Sequence, residues 1–216
     1  LNANGFLTLV STADQTARIE RVEGTGNITG KVRFQRFVRP GRMYRYLSFP
    51  AHNVTVGDLQ KQVPVTGNFD GRSTGPGLTT NPSLFMYNFR LVVRCPCMGL
   101  TTNPSLFMYN EPGLWTPFPT TSHTENFVMG KGYAVFIRKS DEPTLIRVAG
   151  EVHTGNFAFQ LNPGSAQPDA GWSLIGNPYA SPVQWGGTGW QSSGVNPTIY
   201  VRDNEQGNGR FLAWNG

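Results

Sequence analysis

Turn-forming residues interrupt this chain at short intervals, and that punctuation excludes most architectures before any other feature is weighed. Pro40-Gly41, Asn110-Glu111-Pro112-Gly113, Gly130-Lys131-Gly132, Asn162-Pro163-Gly164 and Asn177-Pro178 fall between apolar runs. Gly and Pro both disrupt helix interiors, Gly through backbone entropy and Pro through its missing N–H. With 26 Gly and 16 Pro in 216 residues, no long amphipathic helix can be traced. The runs between the turns alternate or are rich in β-branched and aromatic residues, which is the strand pattern. Phe6 to Val10, Ile28 to Phe37, Tyr44 to Phe49, Tyr133 to Ile137, Phe157 to Leu161, Trp172 to Ile175, Thr198 to Val201 and Phe211 to Trp214 are expected strands. One helical turn is predicted at Val56 to Gln60, with Thr55 as its cap. Many short strands with regular turns predict an all-β antiparallel sandwich, jelly-roll-like, with little helix.

Only 14% of residues are charged while 12% are aromatic, a balance that favours a packed chain over a disordered one. The length suffices for a substantial core. Net charge is +5, and Lys31, Arg33, Arg36, Arg39, Arg42 and Arg45 fall in one stretch. Such a stripe can neutralise phosphates. It also suits the solvated face and edge of a strand, where cations deter unwanted pairing. No helix-turn-helix, zinc-finger or RNA-binding motif accompanies it, so we take the strand reading and expect no nucleic-acid partner. No apolar run approaches the roughly 20 residues of a membrane span. Leu1 is not an initiator Met and no signal peptide precedes it, so a fragment of a longer protein is expected.

Residues 1–216 are expected to form one module, with residues 77–98 a duplicated insert inside it. Gly77 to Asn88 recurs without change at Gly99 to Asn110, an offset of 22 residues, and the identity stops at both ends. Structural repeats keep their pattern beyond such a block. A recent duplication, a cloning event or an assignment error explains it better. Cys95 and Cys97, the only cysteines, lie inside the removable segment and have no partner pair at zinc spacing.

Several constellations were weighed for chemistry. Glu151 and His153 would share a strand face and offer two metal ligands, but a cross-strand polar pair explains them. Asp141-Glu142 beside Pro143 suits a hairpin loop, and nothing beyond the presence of carboxylates suggests glycoside hydrolysis. Asp203 to Gly209 offers calcium-type oxygens but lacks the EF-hand spacing, and a hairpin loop between two strands accounts for it. No nucleophile-elbow pattern is present. No catalytic residue, metal site or cofactor is therefore expected. Tyr179, Trp185 and Trp190 stand apart, in a Gly/Ser/Pro-rich stretch from Asn177 to Asn196. Loop aromatics of this kind stack on sugar rings, although they also cover the ends of cores. Trp115 and Trp172 are read as core.

Gly171 to Trp185 reads GWSLIGNPYASPVQW and resembles a GWNLIGNPYPSPIDW signature of large secreted surface proteins of the Bacteroidetes, exported by the type IX secretion system. Leu7 to Ile19 is similar to that family's LTLxSTAxxTAxI segment, and Gly30 to Pro50 to its GxVxxQRxxxxGRxYRxLSxP segment. Thr198 to Asp203 with Phe211 to Gly216 is similar to IYVxDxxxxxFxxWNG. The likeness covers most of the chain outside residues 77–98. It implies an extracellular or cell-surface, adhesin-like or structural module, non-catalytic, working beside neighbouring modules and other surface components. The alternative is a carbohydrate-binding module of a polysaccharide-active protein, with Tyr179, Trp185 and Trp190 meeting the glycan.

Overall fold

The computed structural model describes residues 1–22, 24–87, 115–159, 161, 172–203 and 210–215. Along them run β1 (Thr8–Leu9), β2 (Lys31–Val38), β3 (Met43–Leu47), β4 (Ala51–His52), α1 (Val56–Gln60), β5 (Leu84–Tyr87), β6 (Trp115–Pro117), β7 (Tyr133–Ile137), β8 (Thr144–Val152), β9 (Ile199–Asp203) and β10 (Arg210–Trp214). The fold is all-β. One sheet has the order β1-β2-β8-β4, the other β3-β7-β5-β6, and β9 and β10 form a separate ribbon.

Alternation builds the first sheet. In β2, Val32, Phe34 and Val38 are buried while Lys31 and Arg33 face solvent. In β8, Thr144, Ile146, Val148 and Gly150 are buried, and they pair in register with the β2 residues, Phe34 opposite Val148 and Val32 opposite Gly150. The second sheet turns Tyr133, Val135 and Ile137 of β7 and Leu84 of β5 inward. These side chains join Val54, Val56, Leu59, Val63 and Val65 in one apolar cluster. Burying such a side chain contributes about 1.5–3 kcal/mol, so the two inner faces dominate the stability of the module.

The order of the strands is that of a jelly roll. From β2 to β5 each strand crosses to the opposite sheet. The chain then returns, with β7 entering between β3 and β5 and β8 between β2 and β4. Beyond β4 the first sheet is extended by a bridge from Thr55 to Asn126 and by Phe127 N–H donating to the Val54 carbonyl at 2.8 Å. At the other edge β1 joins β2 in parallel, the one departure from antiparallel pairing among the named strands. Gly150 is required where β4 crosses β8, because a Cβ there would overlap the His52 carbonyl oxygen and stand 2.8 Å from Ala51 Cβ.

Helix α1 forms where the sequence predicts it. Thr55 Oγ1 accepts from Asp58 N–H at 3.2 Å, and the Asp58 carboxylate accepts from Thr55 N–H at 3.1 Å, completing a capping box.

Other expectations need correction. Phe157 to Phe159 is not a strand, and Trp172 to Ile175 is paired only by a single bridge from Ile175 to Lys131. Trp172 is 42% exposed and leans on Tyr200 of the ribbon at 5.1 Å, outside the core. Trp115 is half-buried on the outer face of its sheet, where register sets it opposite Tyr87. Asp141-Glu142 does not close a hairpin, since β7 and β8 belong to different sheets and the loop crosses between them. Arg45 does not belong to the solvated stripe: it is 9% exposed, and its guanidinium donates to the Pro40 carbonyl at 3.1 Å.

Candidate ligand-binding site

The loop carrying Tyr179 is anchored at one end of the sandwich. Gly132 N–H donates to the Leu174 carbonyl at 3.0 Å, and Gly176 N–H to the Gly130 carbonyl at 2.9 Å. Gly176 is pressed so closely onto the residue that follows β3 that a Cβ would overlap Ser48 Cβ and meet the Lys131 carbonyl oxygen at 2.7 Å. Asn177 then locks the turn. Its Oδ1 accepts from Tyr179 N–H at 3.0 Å and its Nδ2 donates to the Ser181 carbonyl at 2.6 Å. Pro178 is fully buried beneath them. The Asn-Pro-Tyr segment is thus a structural clamp that presents the Tyr179 ring at the surface.

Tyr179, Trp185 and Trp190 fall on one continuous ladder of rings. Trp185 and Trp190 touch directly, with centroids 4.5 Å apart and planes at 56°. Trp190 stacks parallel to Phe159 at 6.1 Å, and Phe159 meets Phe157 edge-on at 5.0 Å. Phe157 meets His153 at 5.4 Å, which in turn contacts Tyr179 at 5.6 Å and His52 at 5.8 Å. These separations lie in the range where aromatic pairs contribute about 0.5–1.5 kcal/mol beyond area burial. His52 is exposed and the other six rings are half-buried, so each shows part of its surface to solvent.

The polar edges of the ladder are already engaged. Trp185 Nε1 donates to the Pro197 carbonyl at 2.5 Å, Trp190 Nε1 to the Gln184 carbonyl at 2.6 Å, and Tyr179 Oη to the Gly155 carbonyl at 2.8 Å. What remains for a ligand is ring surface, suited to stacking on an apolar face. Sequence reasoning found three members of the ladder and missed the part played by His52, His153, Phe157 and Phe159. The two-residue spacing of Phe157 and Phe159 was visible, but it reads as strand alternation.

Of the other candidate residues only His153 belongs to the ladder. Glu151 is exposed on β8, and His153 Nε2 lies 3.2 Å from the Asn156 carbonyl. Asp203 ends β9 with Arg210 at 3.5 Å, so Asp203 and Arg210 open a hairpin as expected, while residues 204–209 lie outside the described residues. Cys95 and Cys97 also lie outside them. Among the described residues no three His, Cys, Asp or Glu side chains converge on a common point.

Fold and surface together define a jelly-roll sandwich with a loop-borne aromatic ladder at one end. No protein-family model, curated protein or solved structure matches this chain.

Proposed function

We propose that the chain is a non-catalytic module of a secreted bacterial surface protein, acting outside the cell in a structural or adhesive role. The observation that carries this reading is the ladder of rings on anchored loops above a rigid sandwich. A stiff scaffold with an aromatic surface on its loops is built to hold contacts rather than to move protons. The β9–β10 ribbon adds support for a place among neighbouring modules. Tyr200, Val201, Phe211, Leu212 and Trp214 on it are all exposed, giving an adjacent module apolar surface to cover.

Bead adhesion tests the reading. Beads coated with the module should be retained under flow on neutral polysaccharide surfaces, and Trp185→Ala with Trp190→Ala should abolish retention while the thermal unfolding profile is kept. Retention no better than that of albumin-coated beads would refute the role, and so would release of reducing sugar from the same surfaces.

A second reading has its own support in the 4.5 Å Trp185–Trp190 pair. It makes the chain a carbohydrate-binding module of a polysaccharide-active protein. A glycan array separates the two: selective binding of one soluble glycan, lost in Trp185→Ala, favours the second, and adhesion without soluble-glycan binding favours the first.

A further inference from the structure

A second aromatic surface lies on the outer face of the β3-β7-β5-β6 sheet, built from strand alternation rather than from loops. Tyr44 points outward from β3 and meets Phe136 of β7 at 5.0 Å and Phe85 of β5 at 5.8 Å. Two residues further along β3, Tyr46 meets Trp115 of β6 at 5.5 Å. All five rings are half-buried.

Three guanidinium groups lie on these rings. Arg42 and Arg138 sit over Phe136 at 5.1 and 5.4 Å, and Arg202 sits over Tyr46 at 5.0 Å. Arginine commonly meets an aromatic face together with a carboxylate, but among the described residues no carboxylate pairs with Arg42, Arg138 or Arg202. The ion pairs among the described residues are Arg18–Glu20, Lys61–Asp58, Lys139–Glu142 and Arg210–Asp203. Arg42 donates one bond, to the Arg138 carbonyl at 3.3 Å, and Arg138 donates one, to Thr66 Oγ1 at 3.3 Å. A guanidinium has five N–H donors, so Arg42 keeps most of its fork uncommitted, while Arg138 Nε is buried without a partner and only its outer nitrogens can serve a ligand. Burial, and then the neighbouring Arg42 charge, lower the Arg138 pKa, while Tyr44 acts in the opposite direction.

Thr66 and Pro82 lead from this face into a cleft of about 340 Å³, further lined by Phe69, Thr116 and Pro119. Pro82 is also the residue whose carbonyl accepts from Tyr44 Oη at 3.4 Å. Arg138 is thus joined to one wall of this cleft through Thr66.

We propose that this sheet face binds a uronate-bearing polysaccharide. Arg42 and Arg138 take one sugar carboxylate through N–H groups that bond no protein acceptor, Arg202 takes another about 7 Å along β3, and the rings serve to hold the guanidinium groups in place. Single-stranded nucleic acid is the competing polyanion. Its bases need open ring faces on which to stack. Here the rings meet one another at 52° and 67°, and guanidinium groups already cover Phe136. The site is independent of the loop ladder, so its failure leaves the proposed function untouched.

Calorimetry with the whole chain tests it, titrating an eight-residue oligogalacturonate, maltooctaose, an eight-residue oligothymidylate and a polyglutamate peptide of equal charge. Binding should be selective for the oligogalacturonate and should weaken with salt. Arg42→Gln with Arg202→Gln should weaken it at least tenfold, while Trp185→Ala should not change it. Arg42 is exposed, so the single Arg42→Gln change, which should weaken binding at least threefold, keeps the test open if the double variant fails to fold. Absent binding, equal or tighter binding of oligothymidylate or polyglutamate, or unchanged affinity in the folded arginine variants would each overturn the proposal.

Discussion

Removal of residues 77–98 should leave the sandwich intact and make it slightly more stable. Strand β5, Leu84–Tyr87, lies in the first of two identical blocks, and every contact it makes comes from residues that the second block repeats. Ser83 Oγ accepts from Thr66 N–H at 2.9 Å, the Asn81 carbonyl accepts from Thr66 Oγ1 at 2.6 Å, and Leu84 is fully buried. After the deletion, Asn103, Ser105 and Leu106 stand in those places. Residues 88–114 now connect Tyr87 to Trp115, a pair that is in register across β5 and β6. The shortened connection would be Asn110 to Leu114, whose Asn-Glu-Pro-Gly segment suits a tight hairpin. Loop-closure entropy for 27 residues against five differs by about 1.5 kcal/mol in favour of the shorter chain. Urea unfolding followed by tryptophan fluorescence should show that gain. The intact chain, with two copies able to fill one strand, should tolerate Leu84→Ala or Leu106→Ala with a loss below about 1 kcal/mol. The double change should cost about 2–5 kcal/mol as a true cavity. A deletion variant that loses its cooperative transition, or a Leu84→Ala loss as large as that of the double variant, would refute the reasoning.

Three further outcomes are expected. Gly176→Ala should cost about 1–3 kcal/mol through overlap with Ser48 and the Lys131 carbonyl, and should quench the ladder's contribution to near-ultraviolet circular dichroism. Tyr133→Phe should cost about 1–3 kcal/mol, because the Tyr133 Oη accepts from Val128 N–H at 2.7 Å and that donor would lose its partner; thermal denaturation measures it. Burial acts to raise the Glu125 pKa, but hydrogen bonds from Thr121, Ser122 and Thr120 outweigh it and hold the carboxyl below its usual range. Its stabilisation is complete above the ordinary carboxylate pKa of about 4.3 and is lost as pH falls through the depressed value. Stability measured from pH 7 to pH 2 should therefore converge for wild type and Glu125→Gln at the acid end and diverge toward neutrality.

Much of the sandwich was legible because burial imposes a period of two. Tyr133–Ile137 is a strand with the bounds its pattern suggests, and α1 begins at the cap that Thr55 supplies. The two-residue β4 carries too little pattern to be seen alone, since its place is set by pairing with β8. Strand β5 was hidden for another reason. It lies in the duplicated block, where two identical Leu-Phe-Met-Tyr runs compete for one place in the sheet and the local pattern cannot say which fills it. Phe157 and Phe159 show the reverse error, with period-two aromatics that pack on a ladder instead of pairing in a sheet. The ladder's tryptophans were visible as aromatics in a turn-rich stretch. Arg42, Arg138 and Arg202 come from three separate parts of the chain: the β3–β7 pairing brings the first two together, and the separate ribbon lays Arg202 over Tyr46.

The insertion of β8 between β2 and β4, and of β7 between β3 and β5, has a bearing on how the chain is made. A nascent polypeptide that ends short of Tyr133 holds only the outer members of both layers, with their central gaps unfilled. Val32 and Phe34 then have only the two-residue β1 beside them, and Leu84 lies on a strand with only the three-residue β6 beside it. Closure of both layers therefore waits for strands made late in synthesis, and the long-range pairing they bring is the slow part of folding.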